Sequence, residues 1–590
     1  MSIDIETYRL KAQEAIEYVF VKEYHNSLGI PMPIVKMLLP DDANYSTGQY
    51  YITIDKTWQI HLNFGKLPIS YHEFQNEVKV LTRHEIEHYM CCPFDVITHF
   101  RMLKRIRDVY YKHFSHLGIN IEYACGAISN QAADIIVDTK NYYRHSKETL
   151  KSEIDWIKIG ANISACPRHC KLMFLTKEAI WKEDLGINET DPEFLKIVHQ
   201  LADSFTKNGI EDKSSFLDKV EEYAEIFFKL YVEDQKNPQQ SSQQGSQQQS
   251  GQQGSQQQSG QQGPQQQGGQ QGSQQQSGQQ GSQQQSGQWG VGRPKDGDEH
   301  GNAFVFADPD KVKEAIEVLA EETSVEEFID LLAIAGIIGM SDKQKGVLWF
   351  NVQSANIIPI VEFSNTGNKS SYTYPSVWRI GDPIEELDLM LTYMTSPRLI
   401  PGMTTKKWEY VSNDDNGTES KQMDLLLVVD TSGSMGSVMK ESANMHQAVL
   451  ASYGILSYFE STKSKVAFIG FSDKIDAYVD WSDKYDDVRE RLLTNGHGGT
   501  KFPISRIKST LDVRSRDLVT VLITDGDLGN INESVSYFRD YLNDDNKLYI
   551  FLLGGSKSLH SYEPLKNIGA KIYNANNANE FCDMVLTDME

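Results

Sequence analysis

A tract of low sequence complexity limits how this chain can fold more than any other feature. From Pro238 to Gln288 its 51 residues are only Gln, Gly, Ser and Pro, without a charged or apolar side chain. A segment that has nothing to bury cannot offset its ordering entropy, so we expect it to be disordered. As a flexible coil, its ends would lie roughly 40 Å apart. Folded domains must therefore lie before and after it.

We interpret the tract as a linker, with a Gln-rich assembly segment as the alternative. Its unit GSQQQSGQQ repeats every nine residues from Gly245. Regular Gly and Ser residues oppose a continuous β ladder, which favours the linker. The chain then divides into a first domain at 1–236, the linker at 237–290, a mostly helical lead-in at 291–422 ending in a hairpin at Asn416-Gly417, and a last domain at 423–590.

Charge and cysteine content exclude several classes of protein. The 590 residues include 57 Lys and Arg against 81 Asp and Glu, a net charge of −24. This balance argues against binding to nucleic acid or to an anionic membrane, because phosphate contacts need clustered cations. Six cysteines are too few for a disulfide scaffold. The longest apolar stretch, Leu331 to Met340, is about half of a membrane-spanning helix. We expect a soluble, cytoplasmic protein.

The first domain contains an HExxH motif, His84-Glu85-Ile86-Glu87-His88. Two short strands, at 51–54 and 58–62, precede a predicted helix at 73–91 that carries the motif. Histidines four residues apart leave one face of a helix and can bind one metal ion, while Glu85 can reach a water on that ion. The pattern predicts a zinc site in which Glu85 is the general base.

Acidic side chains on a second predicted helix supply the rest of this site. Asn130, Asp134 and Asp138 are spaced four apart and share one helical face. The small pair Ala132-Ala133 beside them would let two helices approach closely. Asp134 is the candidate third zinc ligand. Asp138 would accept the outer N–H of a ligating histidine, with Asn130 as a further supporting residue.

Residues 45–145 resemble the zincin metallopeptidases in having strands before an HExxH helix and an acid-bearing helix after it. The resemblance implies a zincin-like fold and zinc-dependent peptide hydrolysis. The sequence departs from the commonest zincins by having Asp, instead of Glu or His, at the third ligand position. Two alternatives stay open at this point: a site that binds metal without turning over substrate, and a solvated helix without a metal.

Three other groups of potential ligands are weaker. Cys166, His169 and Cys170 form a cluster, but no second pair lies nearby to complete a tetrahedral site. Cys91-Cys92 is interpreted as packing. His61 is interpreted as a residue on a strand face.

From about residue 423, apolar strands alternate with amphipathic helices. The strands are predicted at 424–430, 465–471, 518–524 and 548–554, and the helices near 437–458, 482–493, 503–511 and 531–543. This alternation predicts a doubly wound, Rossmann-like α/β domain, with a parallel sheet between two layers of helices. The fold class of the whole chain is therefore multidomain: α+β, then linker, then α/β.

Oxygen-bearing side chains follow the predicted strands of this sheet. The first strand ends in the pattern DxSxS, which comprises Asp430, Ser432 and Ser434. Thr500 follows a pair of glycines, and Asp525 follows the third strand. Hydroxyl and carboxylate oxygens suit Mg²⁺, and the carboxyl ends of parallel strands are where such folds bind ligands. A nucleophilic serine is the rival interpretation, but His497 is the only histidine near these residues.

These five residues match the metal-ion-dependent adhesion site of von Willebrand factor A domains, which the chain resembles over residues 423–590. The pairing with an HExxH domain resembles a group of bacterial and phage proteins associated with MoxR-type AAA+ ATPases. The resemblance implies Mg²⁺-dependent binding to a protein partner such as that ATPase, or recruitment of a protein or peptide substrate. The chain has no Walker A sequence, so an ATPase would be a separate polypeptide.

Two functions are consistent with this sequence. The first is a zinc metallopeptidase, a hydrolase whose A domain recruits a partner or substrate. The second is a non-catalytic adaptor of a MoxR-like or chelatase-like AAA+ complex.

Overall fold

The computed structural model divides the chain into two compact units, which are Met1–Leu319 with Asp330–Ile338, and Ala320–Ile329 with Gly339–Glu590. The residues that it describes are 4–25, 28, 32, 34–37, 50–54, 59–64, 70–160, 163–236, 309–337, 340–357, 371–377, 406–411, 423–514, 517–526, 528, 530–544, 546–553 and 560–575. The predicted linker at 237–290 and the hairpin at Asn416-Gly417 lie outside them. Within these residues, no helix is both long enough and apolar enough to cross a membrane.

The first unit contains a small three-stranded sheet. Its strands are β1 (Ile34–Met37), β2 (Tyr50–Ile54) and β3 (Gln59–Phe64), with β3 in the centre. Strand β2 runs antiparallel to β3, whereas β1 runs parallel to it. The two strands read from the sequence are β2 and β3, and the short strand β1 was not predicted.

Helices make up most of the first unit. They are α1 (Ile5–Tyr18), α2 (Tyr71–Met90), α3 (Val96–Val109), α4 (Ile121–Gly160), α5 (Arg168–Trp181), α6 (Pro192–Thr206) and α7 (Phe216–Lys236). Helices α8 (Pro309–Glu322) and α9 (Val325–Ile334) follow the tract. Helix α4 departs from helical geometry at His145, where φ is −135° and ψ is 47°. Helix α2 packs on α1 and α4, and α4 also packs on α5.

Helix α2 begins with a reciprocal cap and buries one apolar face. The side chain of Ser70 accepts a hydrogen bond from the backbone of Glu73 at 3.2 Å and donates one to the Glu73 carboxylate at 2.7 Å. An N-cap serine of this kind stabilises the first turn of a helix. Phe74, Val78 and Ile86 are buried at helical spacing. This register turns a different face of α2, which carries His84 and His88, toward α4.

A six-stranded sheet forms the centre of the second unit. Its strands are β6 (Asp424–Asp430), β7 (Val466–Phe471), β8 (Ile475–Ser482), β9 (Leu518–Thr524), β10 (Lys547–Leu553) and β11 (Lys571–Ala575), in the order β11-β10-β9-β6-β7-β8. The helices of this region are α11 (Asn444–Ser461), α12 (Tyr485–Leu492), α13 (Ile504–Leu511), α14 (Val535–Asn543) and α15 (Glu563–Lys566). A two-stranded antiparallel pair, β4 (Ser371–Val377) and β5 (Lys406–Val411), precedes the sheet.

The strand order changes direction next to β6. From β6 the chain moves to β7 on one side, and β9 and β10 are then added on the other side. Alternate residues of β6 face opposite sides of the sheet. Leu426 and Val428 face the side that carries α13, α14 and α15, and they belong to the buried cluster there. The carboxyl ends of β6 and β9 therefore meet at a topological switch point, where open α/β sheets bind their ligands.

The edge strand β8 differs from the parallel sheet that the sequence predicts. It pairs antiparallel with β7, while β6, β7, β9, β10 and β11 are parallel. The connection from β7 to β8 is only residues 472–474. Parallel neighbours need a crossover of about a dozen residues, so a three-residue connection can form only a hairpin.

A helix of the predicted lead-in region belongs to the second unit. Helix α10 (Asp342–Ile357) packs on α11, and the Phe350 ring lies 5.5 Å from the Tyr453 ring. The Trp349 indole donates to the carbonyl of Thr323 at 3.0 Å. Trp349 and Phe350 are both buried. This unit therefore begins well before residue 423, because the apolar face of α11 is covered by α10.

Candidate metal centres

The two histidines of the HExxH motif meet a carboxylate of α4. Nε2 of His84 and Nε2 of His88 are 3.0 Å apart. Oδ1 of Asp134 lies 3.2 Å from His88 Nε2 and 3.6 Å from His84 Nε2. The three side chains are partly buried. Three potential ligand atoms from two helices thus converge on one point, and within the described chain they form the one such His, Cys, Asp or Glu group.

Hydrogen bonds on the outer ring nitrogens define the protonation of both imidazoles. His88 Nδ1 lies 2.9 Å from the carbonyl oxygen of Cys92, which can only accept a hydrogen bond. His84 Nδ1 lies 2.7 Å from Asp138 Oδ1. Both Nδ1 atoms therefore carry the proton. Whenever a ring is neutral, its Nε2 atom presents a lone pair to the other histidine and to Asp134.

These inner atoms fit a cation. Oδ1 of Asp134 is buried and has no hydrogen-bond donor among the described residues. Its other oxygen, Oδ2, accepts from the amide of Asn130 at 2.9 Å, which fixes the direction of Oδ1. Buried acceptors that face one another without a donor are costly unless a positive charge lies between them. Two imidazoles and one carboxylate form a ligand set that zinc accepts.

A proton can substitute for a metal cation at this centre. Burial opposes the charged form of His84, but the neighbouring carboxylates of Asp138 and Asp134 outweigh it and raise the pKa of His84 to about 10. The site therefore favours one added positive charge at neutral pH. A divalent cation would compete with that proton.

The two glutamates of the motif have different surroundings. Glu87 is fully buried and is bound by Tyr24 at 2.9 Å, Arg144 at 2.9 Å and Lys140 at 2.8 Å. These contacts give Glu87 a structural role between α2 and α4. Glu85 directly follows His84 on α2 and is partly buried. The assignment of Glu85 as the general base stays a prediction.

A buried lysine next to the first centre was missed from the sequence. Lys177 on α5 donates to Asp138 Oδ2 at 3.0 Å and also pairs with Glu153 of α4. Burial alone would raise the pKa of Asp138, but the charges of Lys177 and His84 outweigh it and hold that pKa below its usual range. A single lysine in an amphipathic helix carries no distinctive spacing. No local signal could therefore have indicated it.

The weaker ligand candidates His169 and Cys170 lie in surroundings that indicate packing instead of metal binding. His169 is buried, with Nδ1 2.8 Å from Asp234 Oδ2 and its ring against Phe227 and Tyr231. Burial raises the pKa of the Cys170 thiol to about 12, so it stays protonated and is a poor ligand.

The two cysteines that follow the HExxH helix are also packing residues. Cys91 and Cys92 are both buried, and burial raises the pKa of Cys91 to about 11. The side chain of His61 lies outside the described residues.

The second candidate centre begins with a buried carboxylate at the end of β6. Asp430 is fully buried, and its Oδ1 accepts from the backbone N–H of Ser432 at 2.9 Å. Its Oδ2 accepts from Thr524 Oγ1 of β9 at 2.6 Å. Burial raises the pKa of Asp430, and these hydrogen bonds partly oppose that rise. The contact joins the two strands at the switch point.

A row of oxygen atoms extends from Asp430 toward the surface. The hydroxyls of Ser432 and Ser434 are 3.1 Å apart, and Ser434 donates to Asp525 Oδ1 at 3.1 Å. Asp525 Oδ2 accepts from the amide of Asn444 at 3.4 Å. Ser432 is buried, whereas Ser434 is exposed. Hydroxyl and carboxylate oxygens at this spacing fit a hard cation that retains water ligands.

The loop that carries Thr500 lies against the DxSxS turn. The backbone N–H of Gly433 donates to the carbonyl of Gly498 at 3.3 Å, which brings the loop against the DxSxS turn. Thr500 is partly buried, two residues further on. Four of the five predicted magnesium ligands are thus joined by direct or shared hydrogen bonds, and the fifth lies on an adjoining loop.

Gly496 holds the same loop in contact with the turn. A Cβ added there would lie 2.6 Å from Thr431 Oγ1 and would overlap the carbonyl oxygen of Thr431. Thr431 in turn donates to Asp476 Oδ2 at 2.7 Å. Only a residue without a side chain allows this approach. Gly496 was not predicted, although a glycine-rich loop facing a ligand-binding turn is the signal that could have indicated it.

Comparisons with known proteins give no family for this chain. No family model matches it, and no curated protein matches it. Among solved structures, BatB from Bacteroides thetaiotaomicron is 13% identical, with 28% of this chain and 97% of that chain covered and a TM-score of 0.24. An aerotolerance-related membrane protein from Bacteroides fragilis is 14% identical, with coverage of 28% and 98% and a TM-score of 0.23. An uncharacterized membrane spanning protein from Vibrio fischeri is 17% identical, with coverage of 28% and 96% and a TM-score of 0.12. With TM-scores this low, these similarities support no statement about fold or function.

We expect Gly496→Ala to destabilise the second centre. The new methyl group must displace the Thr431 backbone or the loop, at a cost of about 1–3 kcal/mol. Thermal unfolding of the whole chain measures this loss. Gly499→Ala is the matched control, because an added Cβ there meets nothing within 4 Å. Equal unfolding temperatures for the two variants would contradict the role of Gly496.

Proposed function

We propose that the chain is a zinc-dependent metallopeptidase whose second unit binds a protein partner through Mg²⁺. The observation that carries the proposal is the convergence of His84 Nε2, His88 Nε2 and Asp134 Oδ1, three potential ligand atoms from two helices that lie within 3.6 Å of one another. That arrangement favours one added positive charge, which a metal ion can supply in place of the proton on His84. Two histidines four apart on a helix, with Glu85 directly after the first of them, then favour hydrolytic chemistry over purely structural zinc binding.

Each residue has a defined part in this mechanism. His84, His88 and Asp134 would hold Zn²⁺ and leave one coordination position open. The ion would supply a bound water of lowered pKa and would polarise the scissile carbonyl. Glu85 would accept the proton of that water on its carboxylate and pass it to the leaving amine. Asp138 would hold the His84 ring by its Nδ1–H, and Asn130 would hold the Asp134 carboxylate.

The second unit would recruit the partner. Ser432, Ser434 and Thr500 would bind Mg²⁺ through neutral oxygens, with Asp430 and Asp525 nearby. Few direct carboxylate ligands would leave the ion electrophilic, so that an acidic side chain of a partner completes its shell. A MoxR-type AAA+ ATPase in the cytoplasm is the proposed partner, and a protein or peptide substrate is the other ligand of this kind.

A non-catalytic adaptor is the second candidate. It is favoured by Asp134, because the commonest zincins carry Glu or His at the third ligand position. In that case the first unit would be a zinc-stabilised scaffold, and the second unit would keep the same Mg²⁺-dependent role in an AAA+ complex. The two candidates differ only in whether Glu85 acts on a substrate.

The zinc site predicts a metal content of about one zinc per chain. His84→Ala removes one of three protein ligands and should reduce the bound zinc to near zero, measured by elemental analysis after dialysis. His72→Ala is the control, since His72 is exposed on the same helix and contacts Asn76 instead. Zinc loss in both variants, or in neither, would contradict the site.

Glu85→Gln separates the enzyme from the adaptor. The substitution keeps the size of the side chain and removes its basicity, so bound zinc should be retained and peptide hydrolysis should fall by a factor of about 10² or more. Cleavage of unfolded protein substrates, with and without an AAA+ ATPase, measures the rate. Zinc retention with no hydrolysis by the wild-type chain under any of these conditions would favour the adaptor.

The Mg²⁺ site predicts stabilisation by Mg²⁺ alone. At about 100 times its dissociation constant, a ligand that binds only the folded state adds about 2.7 kcal/mol, so the unfolding temperature of the wild-type chain should rise. Asp430→Ala should abolish this rise, and Asp480→Ala, on the edge strand β8, should leave it intact. A Mg²⁺-dependent rise that survives Asp430→Ala would rule out this assignment.

A further inference from the structure

Lys177 is a charged side chain in an unusual position. Its side chain is only 2% exposed, and it lies on α5, which carries none of the predicted zinc ligands. Its ammonium group is 3.0 Å from Asp138 Oδ2 and pairs with Glu153. Burying an ammonium group is costly even when it is paired. Replacing this lysine and glutamate with apolar residues would be the simpler way to fill the space.

The contact with Asp138 connects Lys177 to the metal centre. Asp138 uses its two oxygens in different directions: Oδ1 accepts from His84 Nδ1 at 2.7 Å, and Oδ2 accepts from Lys177. A carboxylate that is bound at both oxygens cannot rotate about its terminal bond without breaking one contact. The His84 ring is therefore held through a carboxylate that is itself held from a third helix.

The contact of Lys177 with Asp138 also constrains the geometry of the centre. Lys177 and Glu153 carry opposite charges, so together they add no net charge to the group around His84. Lys177 holds Oδ2 of the Asp138 carboxylate, and Oδ1 of the same carboxylate holds the His84 ring. The outer partners of ligating histidines influence metal affinity by this route.

We propose that Lys177 is a positioning residue of the candidate zinc centre, which aims His84 Nε2 at the metal by fixing the carboxylate of Asp138. The inference rests on the proposed zinc site and extends it to a residue that touches neither the metal nor a substrate. It assigns α5 a part in the centre along with α2 and α4. Glu153 is the counterion that allows the lysine to be buried beside Asp138.

The test compares zinc affinity in three variants of the full chain. Lys177→Met removes the ammonium group, and Lys177→Met with Glu153→Leu removes the whole pair without changing the net charge. The double variant guards against misfolding, because apolar replacement of a buried pair is often neutral for stability. Lys171→Met is the matched control: Lys171 is a second buried lysine on α5, paired with Glu189 at 2.9 Å and with no contact to Asp138.

Competition with a chromophoric chelator measures the affinity for Zn²⁺ alone, and thermal unfolding verifies that each variant is folded. We expect zinc binding about 10- to 100-fold weaker in both Lys177 variants and unchanged in Lys171→Met. With Co²⁺ in place of Zn²⁺, the visible absorption bands report ligand geometry. These bands should shift in the double variant and stay unchanged in the Lys171 variant.

Two results would overturn the inference while the zinc site stands. One is wild-type zinc affinity in a folded double variant, which would make the pair purely structural. The other is an equal loss of affinity in Lys171→Met, which would attribute the effect to the stability of α5. Absence of zinc binding by the wild-type chain is a different outcome, because it would remove the proposed function itself.

Discussion

A carboxylate that is hydrogen-bonded at both oxygens anchors each of the two candidate centres. In the first unit Asp138 is held between His84 and Lys177, and in the second unit Asp430 is held between Ser432 N–H and Thr524 Oγ1. An unpaired carboxylate at these depths would be protonated or would destabilise the fold. Each pairing fixes elements that are distant in sequence: α2, α4 and α5 in one unit, and β6 and β9 in the other. At the first centre His88 and Asp134 are held separately, by the Cys92 carbonyl and the Asn130 amide.

The two centres differ in what their geometry offers to a ligand. At the first, two imidazole nitrogens and one carboxylate oxygen converge below the surface, and their outer atoms are all occupied by hydrogen bonds. At the second, serine hydroxyls lead outward from a buried aspartate to the exposed Ser434. The first arrangement suits a cation enclosed by the chain. The second suits a cation shared with another molecule, which is the basis for assigning chemistry to one unit and recruitment to the other.

Local sequence patterns predicted those features of the fold that depend on neighbouring residues in one helix or strand. The strands predicted at 424–430 and 518–524 agree in their bounds with β6 and β9. A central strand of a parallel sheet is buried on both faces, so a continuous apolar run between polar residues marks where it begins and ends. The HExxH spacing and the four-residue spacing of Asn130, Asp134 and Asp138 predicted which side chains share a helical face. The antiparallel strand β8 and the attachment of α10 were not predicted, since they depend on a short connection and on packing between distant segments.

The sequence by itself determined the ligand types and the faces on which they lie: two histidines on α2, one row of acidic and amide side chains on α4, and the oxygen-bearing loops after β6 and β9. Helical and strand periodicity fix these relations within an element. Only the tertiary structure decided how the elements meet. It brought Asp134 Oδ1 within 3.2 Å of His88 Nε2 and set the buried Lys177 behind Asp138. The tertiary structure also placed Gly496 in close contact with Thr431. Such contacts join residues far apart in sequence, and they depend on how several helices and strands pack at once.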